Sequence, residues 1–263
     1  MTQPTYFAKN TGDEERARLA GFEDQFDTFT ERRLRQAGLE PGKRCLEVGA
    51  GIGSIARLMG KVSGRRAIAA DLNPRFLDPQ DPHYEIRQWD LAGSTDLGEG
   101  GFDLVHCRLL LMHLPDPAAR IRRLASLLGP KGALVLEEPD TLTIAAADRS
   151  DPRAEQLTRV CRTLMGSAET RGLFRSALGP ELPGLMARAG LASISCEGMC
   201  EVLHDGGSVA RRTSLTESLR LLAPAVVASG ELTRIEVDQT IEWISGGTIG
   251  WVSGMLFSCI GFR

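Results

Sequence analysis

An apolar run that ends in a carboxylate and then in three alternating glycines constrains this chain more than any other feature. It reads Cys45-Leu46-Glu47-Val48-Gly49-Ala50-Gly51-Ile52-Gly53-Ser54. The spacing predicts a buried strand, a tight turn and the start of a helix. Glycines permit positive φ and leave no Cβ between the backbone and a ligand lying across the turn. Ser54 is placed to cap the helix. Amides of such a turn face the carboxyl end of the strand, where ligands of doubly wound sheets bind. A dinucleotide fingerprint, G-x-G-x-x-G, would need glycine where this chain has Ser54.

The segments that follow alternate strand and helix. A second strand over 67–70 ends at Asp71, twenty positions beyond Gly51, followed by Leu72 and Asn73. A carboxylate there can accept hydrogen bonds from both hydroxyls of an adenosine ribose. Pro74, Pro79 and Pro82 leave the next helix little more than a turn around 75–77. Strand three, 84–88, runs into Trp89-Asp90-Leu91. Strand four, 102–107, runs into Arg108 and then His113-Leu114-Pro115-Asp116-Pro117, ahead of a helix over 117–128. A turn at 129–132 leads to strand five, 133–136, which ends in Glu137-Glu138-Pro139-Asp140.

Glu-x-Gly-x-Gly-x-Gly, then Asp71, Asp90 and the histidine-led run to Pro117, in this order, resembles the class I S-adenosylmethionine (SAM) dependent methyltransferases. The chain is similar in particular to small-molecule methyltransferases of bacterial secondary metabolism, over residues 42–140 and more loosely beyond. The resemblance implies an α/β fold: a Rossmann-like seven-stranded sheet with a helical insertion between its last two strands. Residues 1–40 would form an N-terminal helical lid, and 41–263 a SAM-binding core with a substrate cap at about 141–190 and 208–247, one structural domain overall. It further implies SAM as cofactor, with S-adenosylhomocysteine as product. Glu47 and the turn of Gly49, Gly51 and Gly53 would hold the methionine end, and Asp71 with Leu72 and Asn73 the ribose. Asp90 with Trp89 and Leu91 would hold the adenine, and Cys107, Arg108 and His113 would border the pocket. Tyr6 and a nearby arginine, Arg16 or Arg18, would cover the cofactor and pair with its carboxylate. Electrostatics agree, since a carboxylate at the turn repels a pyrophosphate and suits a sulfonium and an ammonium.

Methyl transfer needs alignment and exclusion of water more than it needs catalytic groups. A hydroxyl or ammonium acceptor must also lose a proton, and His113, just past strand four, is the best placed base. The same histidine could instead be a wall of the pocket. Glu137 or Glu138 could orient an amine or indole N–H, with Glu138 the choice for that role, or could cap the chain before Pro139. No metal-ligand spacing is visible.

Residues 11–38 read as one or two amphipathic helices, 154–167 as a helix with apolar positions at 157, 160, 161, 164 and 165, and 182–189, 215–228 and 231–244 as further helices. Strand six is expected over 192–202 and strand seven over 249–261, the latter apolar enough for a sheet edge or an interface. Of 263 residues 31 are basic and 34 acidic, which argues against a nucleic-acid partner. The six cysteines, at 45, 107, 161, 196, 200 and 259, form no C-x-x-C pair and read as reduced core residues. With no signal core in the first ten residues and no long apolar run, the expectation is a cytoplasmic protein without membrane partners, acting on a small, largely apolar or aromatic acceptor, with a homodimer possible. Two alternatives stay open: a SAM-fold protein that binds cofactor without transfer, and an NAD-dependent oxidoreductase.

Overall fold

The computed structural model describes residues 12–204 and 207–263, so Tyr6 lies outside the described residues. In chain order the elements are α1 (Asp13–Gln36), β1 (Cys45–Val48), α2 (Ser54–Ser63), β2 (Ala67–Asp71), β3 (Tyr84–Gln88), β4 (Phe102–Arg108), α3 (Pro117–Ser126) and β5 (Leu128–Asp140). There follow β6 (Ala145–Ala146), α4 (Ala154–Thr170), α5 (Leu182–Arg188), β7 (Ala192–Met199), β8 (Val202–Leu203), α6 (Val209–Ser229), α7 (Arg234–Ser245), β9 (Trp251–Val252) and β10 (Met255–Phe262). They fall into two compact units, each assembled from separated segments. One comprises Phe26–Glu138, Gly179–Gly198 and Phe257–Arg263; the other takes the chain up to Gln25, Pro139–Leu178 and Met199–Leu256.

The first unit is built on a seven-stranded sheet of order β3-β2-β1-β4-β5-β10-β7. β1 runs parallel to both β2 and β4, β2 to β3, and β4 to β5. The order reverses at β1, and in such sheets the crevice beside the reversal is where ligands bind. β1 is buried at every position, as expected for a parallel strand covered on both faces. On one face Cys45, Ala67, Ala69, Leu104, Ala133 and Val135 form a core with Ile55, Ala56 and Met59 of α2 and Leu34 of α1. The second unit is largely helical. Leu157, Val160, Cys161, Leu164 and Met165 of α4 are all buried, the stripe expected from their spacing. α7 starts in a capping box in which Thr233 and Glu236 satisfy each other's backbone N–H. A three-stranded sheet of order β6-β9-β8, antiparallel throughout, completes this unit. Among the described residues no helix is long and apolar enough to cross a membrane.

Several sequence expectations change. α1 is one helix, with Asp13, Glu14 and Glu15 in its first turn and Arg33 and Arg35 in its last, charges that match the helix dipole. Helix α2 takes Gly53, in the left-handed region, as its cap, and Ser54 is its first residue with no side-chain cap bond at that end. β5 absorbs the turn expected at 129–132: its pairing slips between Phe102↔Leu128 and Leu104↔Ala133, so the glycines and a positive-φ Lys131 form an irregularity inside the strand. Strands six and seven both break. Ser253 explains the break, since its N–H donates to the Glu201 carbonyl and its hydroxyl accepts from the Glu201 N–H, drawing both segments into the small sheet. The apolar C-terminal strand is not an edge, because β10 lies between β5 and β7. Cys196 and Cys259, expected to be reduced, are joined as a disulfide. They sit on neighbouring strands with Cα atoms 4.2 Å apart, a juxtaposition hidden by their separation of 63 residues.

Gly60 tests the packing of α2. A Cβ built there would stand 1.9 Å from the backbone oxygen of His83. Alanine gains about 1 kcal/mol of helix propensity over glycine, whereas overpacking costs typically ~1–3 kcal/mol, and the clash is with backbone that cannot swing away. Gly60→Ala is therefore expected to destabilise by about 1–2 kcal/mol in chemical denaturation; an unchanged or raised midpoint would refute the contact.

Candidate active site

The three glycines of the turn divide the work between them. All three have positive φ, at 77°, 57° and 95° for Gly49, Gly51 and Gly53. A Cβ on Gly53 would stand 2.9 Å from Leu77 and 3.1 Å from the Tyr84 hydroxyl, and one on Gly49 3.1 Å from Leu110, so these two are glycines because protein packs against them. At Gly51 a Cβ would meet nothing within 4 Å. The turn therefore presents open space at Gly51, where the methionine end of SAM would lie, and the residues present fit that group.

Asp71, at the end of β2, reaches back to this turn. Its Oδ2 accepts from the Gly51 N–H at 3.1 Å and its Oδ1 from the Asn73 N–H at 2.8 Å. The side chain thus fixes the turn while its carboxylate keeps lone pairs for further donors. Leu72 beside it is 59% exposed, an uncommon position for a large apolar side chain. Asp90 accepts from the Ala92 N–H at 2.8 Å, closing its own loop. Trp89 and Leu91 are buried, and the Trp89 indole N–H donates to the Thr95 carbonyl at 3.0 Å. Arg123 of α3 stitches this loop, donating to the carbonyls of Leu91, Gly93 and Thr95. Trp89 and Leu91 support the loop from within, and Asp90 alone of the three is only half-buried.

Under the turn, on the face that packs α1 and α2, lies a group of buried charges. β1 and β4 pair with Glu47 opposite His106, and β4 and β5 with Arg108 opposite Glu137. His106 Nδ1 stands 2.6 Å from Glu47 Oε2, and Nε2 stands 3.4 Å from Glu137 Oε2. The Thr30 hydroxyl donates to Glu137, and Arg108 donates to Thr30 at 2.9 Å and to Asp27 at 2.8 Å. Burial opposes a charged imidazole, yet the Glu47 charge and hydrogen bonding with both carboxylates raise His106 to about 9. Burial would raise Glu137 as well, but His106, Arg108 and Thr30 hold it below the usual carboxylate range. Glu47 stands raised, because burial outweighs the pull of His106 and Arg108.

On the opposite side of β5 from this group, Glu138 is completely buried. Its Oε1 accepts from the N–H groups of Leu110 at 3.0 Å and Leu111 at 2.7 Å, and its Oε2 from Met112 at 3.3 Å. Burial outweighs these three donors and pushes the carboxyl up to about 8. Glu138, expected to meet the acceptor, binds the backbone of the turn Leu111–His113, at whose end His113 is half-buried. Leu109, just before, has φ 54°, the left-handed region that a branched side chain seldom adopts. Cys107 is buried and its thiol lies well above its ordinary range through burial, so it is an inert wall. Arg18, expected over the cofactor, belongs to the helical unit, where it binds both oxygens of Glu15 and stacks on Phe22. His106, inside strand four, is the centre of the buried charges. The available signal was an ionisable residue on each of three adjacent strands.

Two consequences are measurable. Glu138→Gln turns an amide NH2 toward backbone donors, so it is expected to cost about 1–3 kcal/mol of stability, read by chemical denaturation. A histidine raised from 6.5 to about 9 stabilises the fold fully below pH 6.5 and loses that contribution as the pH rises through 9. The melting-temperature gap between wild type and His106→Gln should therefore narrow from pH 6 to pH 10.

Comparison with known proteins places this geometry. The family model for the methyltransferase domain matches residues 22–195, well over half of the chain. A ubiquinone biosynthesis O-methyltransferase of Xanthomonas axonopodis pv. citri is 33% identical over 201 residues, covering 72% of this chain and 79% of that protein. Methyltransferase str2 of Strobilurus tenacellus is 28% identical over 154 residues, 58% of this chain and 56% of that protein. With str3 of the same fungus the match covers 50% of the relative, so the chain spans about half the length of these two curated relatives. Among solved structures, phosphoethanolamine N-methyltransferase 2 of Haemonchus contortus, in complex with S-adenosylhomocysteine, is similar with a TM-score of 0.53 at 16% identity, covering 88% of this chain and 51% of that one. The YcgJ protein of Bacillus subtilis gives 0.53 at 14% identity, covering 87% and 95%. At these identities the structures speak for the fold alone. The sheet order, the glycine turn and these matches together make the chain a member of the methyltransferase-domain family, with the class I, SAM-dependent fold.

Proposed function

We propose that this chain transfers the methyl group of SAM to a small, largely apolar or aromatic acceptor. The observation that carries the reading is the turn at Gly51: positive φ, open space where a Cβ would stand, and an amide hydrogen of the turn held by Asp71. Relatives named for ubiquinone biosynthesis O-methylation support a small-molecule acceptor. When bound, SAM supplies an electrophilic methyl on a sulfonium and leaves as a neutral thioether.

The chain's own residues then have limited tasks. Asp71 would accept the ribose hydroxyls with the lone pairs that Gly51 and Asn73 leave over, Leu72 and Asn73 would border the ribose, and Asp90 would accept from the adenine amino group. Glu47, beneath the turn, would face the cationic methionine end. Arg108, neutralised by Asp27, would line the pocket without adding charge. If the acceptor is a hydroxyl, His113 removes its proton as the new bond forms, and Glu138 keeps that histidine in place through three backbone amides.

Substitutions in the turn separate binding from folding. Gly51→Ala is expected to cost only ~1 kcal/mol of stability through its φ while weakening S-adenosylhomocysteine binding at least about tenfold, because the new Cβ enters the open space. Gly53→Ala should instead destabilise the fold against Leu77 and Tyr84. Calorimetric titration with S-adenosylhomocysteine, repeated on Asp71→Ala and with NAD in parallel, reads the cofactor. Binding of NAD in place of the homocysteine product would sink the reading. With a panel of phenols, amines and electron-rich rings, His113→Ala should lower kcat by about 10²–10⁴-fold for hydroxyl acceptors, and methylated product from none of them would leave a binding protein without transfer.

A further inference from the structure

The geometry around His106 determines its charge state. A neutral imidazole has one N–H and one lone pair, and here each ring nitrogen faces a carboxylate oxygen, 2.6 Å away at Glu47 and 3.4 Å at Glu137. Either neutral tautomer would set a lone pair against an anion in a place where His106 is 0% exposed. The imidazolium hydrogen-bonds Glu47 through Nδ1 and stands within ion-pair range of Glu137 through Nε2. Two carboxylates and one imidazolium leave one negative charge over. Arg108 is paired with Asp27 on α1, and Arg33 of α1 shares Glu197 with Arg32 and also feels the charge of Glu137. One oxygen of Glu137, Oε1, is buried with no hydrogen-bond partner among the described residues. Glu47, at the β1 end of this group, lies two residues before the glycine turn.

We propose that His106 is a positioning residue for the cofactor: a buried cation between Glu47 and Glu137 that keeps the Glu47 carboxylate ionised and oriented beneath the turn, so that the cationic methionine end is bound equally well across neutral pH. This rests on the methyltransferase reading of that turn. The groups that face the imidazole are few. Glu47 comes from β1, Glu137 from β5 with Glu138 on the other side of that strand, Arg108 and Cys107 from its own β4, and Asp27, Thr30 and Arg33 from α1. The α2 residues in the core of this face, Ile55, Ala56 and Met59, are apolar. Without His106, the charge that opposes the burial of Glu47 is gone, so burial pushes its carboxyl further up and it holds a proton to higher pH. Binding must then pay for removing that proton, at about tenfold in affinity per pH unit.

The test is the pH profile of S-adenosylhomocysteine affinity for the full chain, from pH 6 to 8.5, in wild type, His106→Gln, Glu47→Gln and the double variant. Wild type should stay level within about twofold, whereas His106→Gln should bind more weakly at pH 6 than at pH 8 by about tenfold or more. Both proteins with Glu47→Gln should be weak and level, since the titrating group is gone. A level His106→Gln profile overturns the proposal, as does a slope that survives Glu47→Gln. Should His106→Gln fail to fold, carbon-13 and nitrogen-15 shifts of the His106 ring in the wild type decide instead: imidazolium at pH 7.5 supports the proposal and a neutral ring overturns it. Failure of wild type to bind S-adenosylhomocysteine at any pH would count against the methyltransferase reading, while the ring shifts would still report on His106.

Discussion

A buried imidazole held between two buried carboxylates sets the terms for the sheet that carries the site. Placing charges away from water costs several kcal/mol for each ion, and the cost is recovered only when partners meet in good geometry. Here the partners come from three neighbouring strands, so the pairing of β1 with β4 and of β4 with β5 must bring Glu47, His106 and Glu137 to one face. A slip of one residue would turn each side chain to the other face. Glu47 would then stand among Val105, Leu134 and their neighbours, without a counter-charge. The same register that satisfies the charges puts the glycine turn, Arg108 and Glu138 at the carboxyl ends of adjacent strands. Apolar packing alone would tolerate a slip far better, since Leu46, Val48, Val105 and Cys107 offer similar surfaces.

The parallel half of the sheet was legible because its signals are local. An apolar run, a glycine turn and a carboxylate at the end of the next strand each declare themselves within a few residues, and four such landmarks in order leave little choice of fold. Of the candidate site, the glycine turn and Asp71 were legible as local signals twenty positions apart, and the hydrogen bond that joins Gly51 to Asp71 was not. What was hidden depends on partners far away in the chain. His106 acquires its meaning from Glu47, 59 residues earlier. Glu138 binds backbone amides, which carry no sequence signature at all. Cys196 and Cys259 meet only because β10 inserts between β5 and β7, a place that its apolar composition equally allowed to be an edge. The breaks in the last two strands follow from Ser253 and Glu201, whose bonds a period-two pattern cannot reveal.

The loops that border the crevice share one device, a carboxylate that accepts backbone N–H groups. Asp71 holds the glycine turn, Asp90 its own loop and Glu138 the segment before His113. Packing could hold such loops only by filling the space beside them with side chains, and that space is what a ligand needs. A carboxylate holds them from behind instead, leaving the outward surface open, as at Gly51. Asp71 and Asp90 also keep acceptor capacity after their backbone bonds are made, so one side chain can both shape a loop and receive a ligand. The arrangement is preorganised, because the donors that fix the loop are satisfied before any ligand arrives and little order remains to be imposed on binding. Its cost is the negative charge of Asp71 and Asp90 beside the crevice, since burial leaves Glu138 largely protonated at neutral pH. A cationic cofactor matches that field, and an anionic pyrophosphate opposes it.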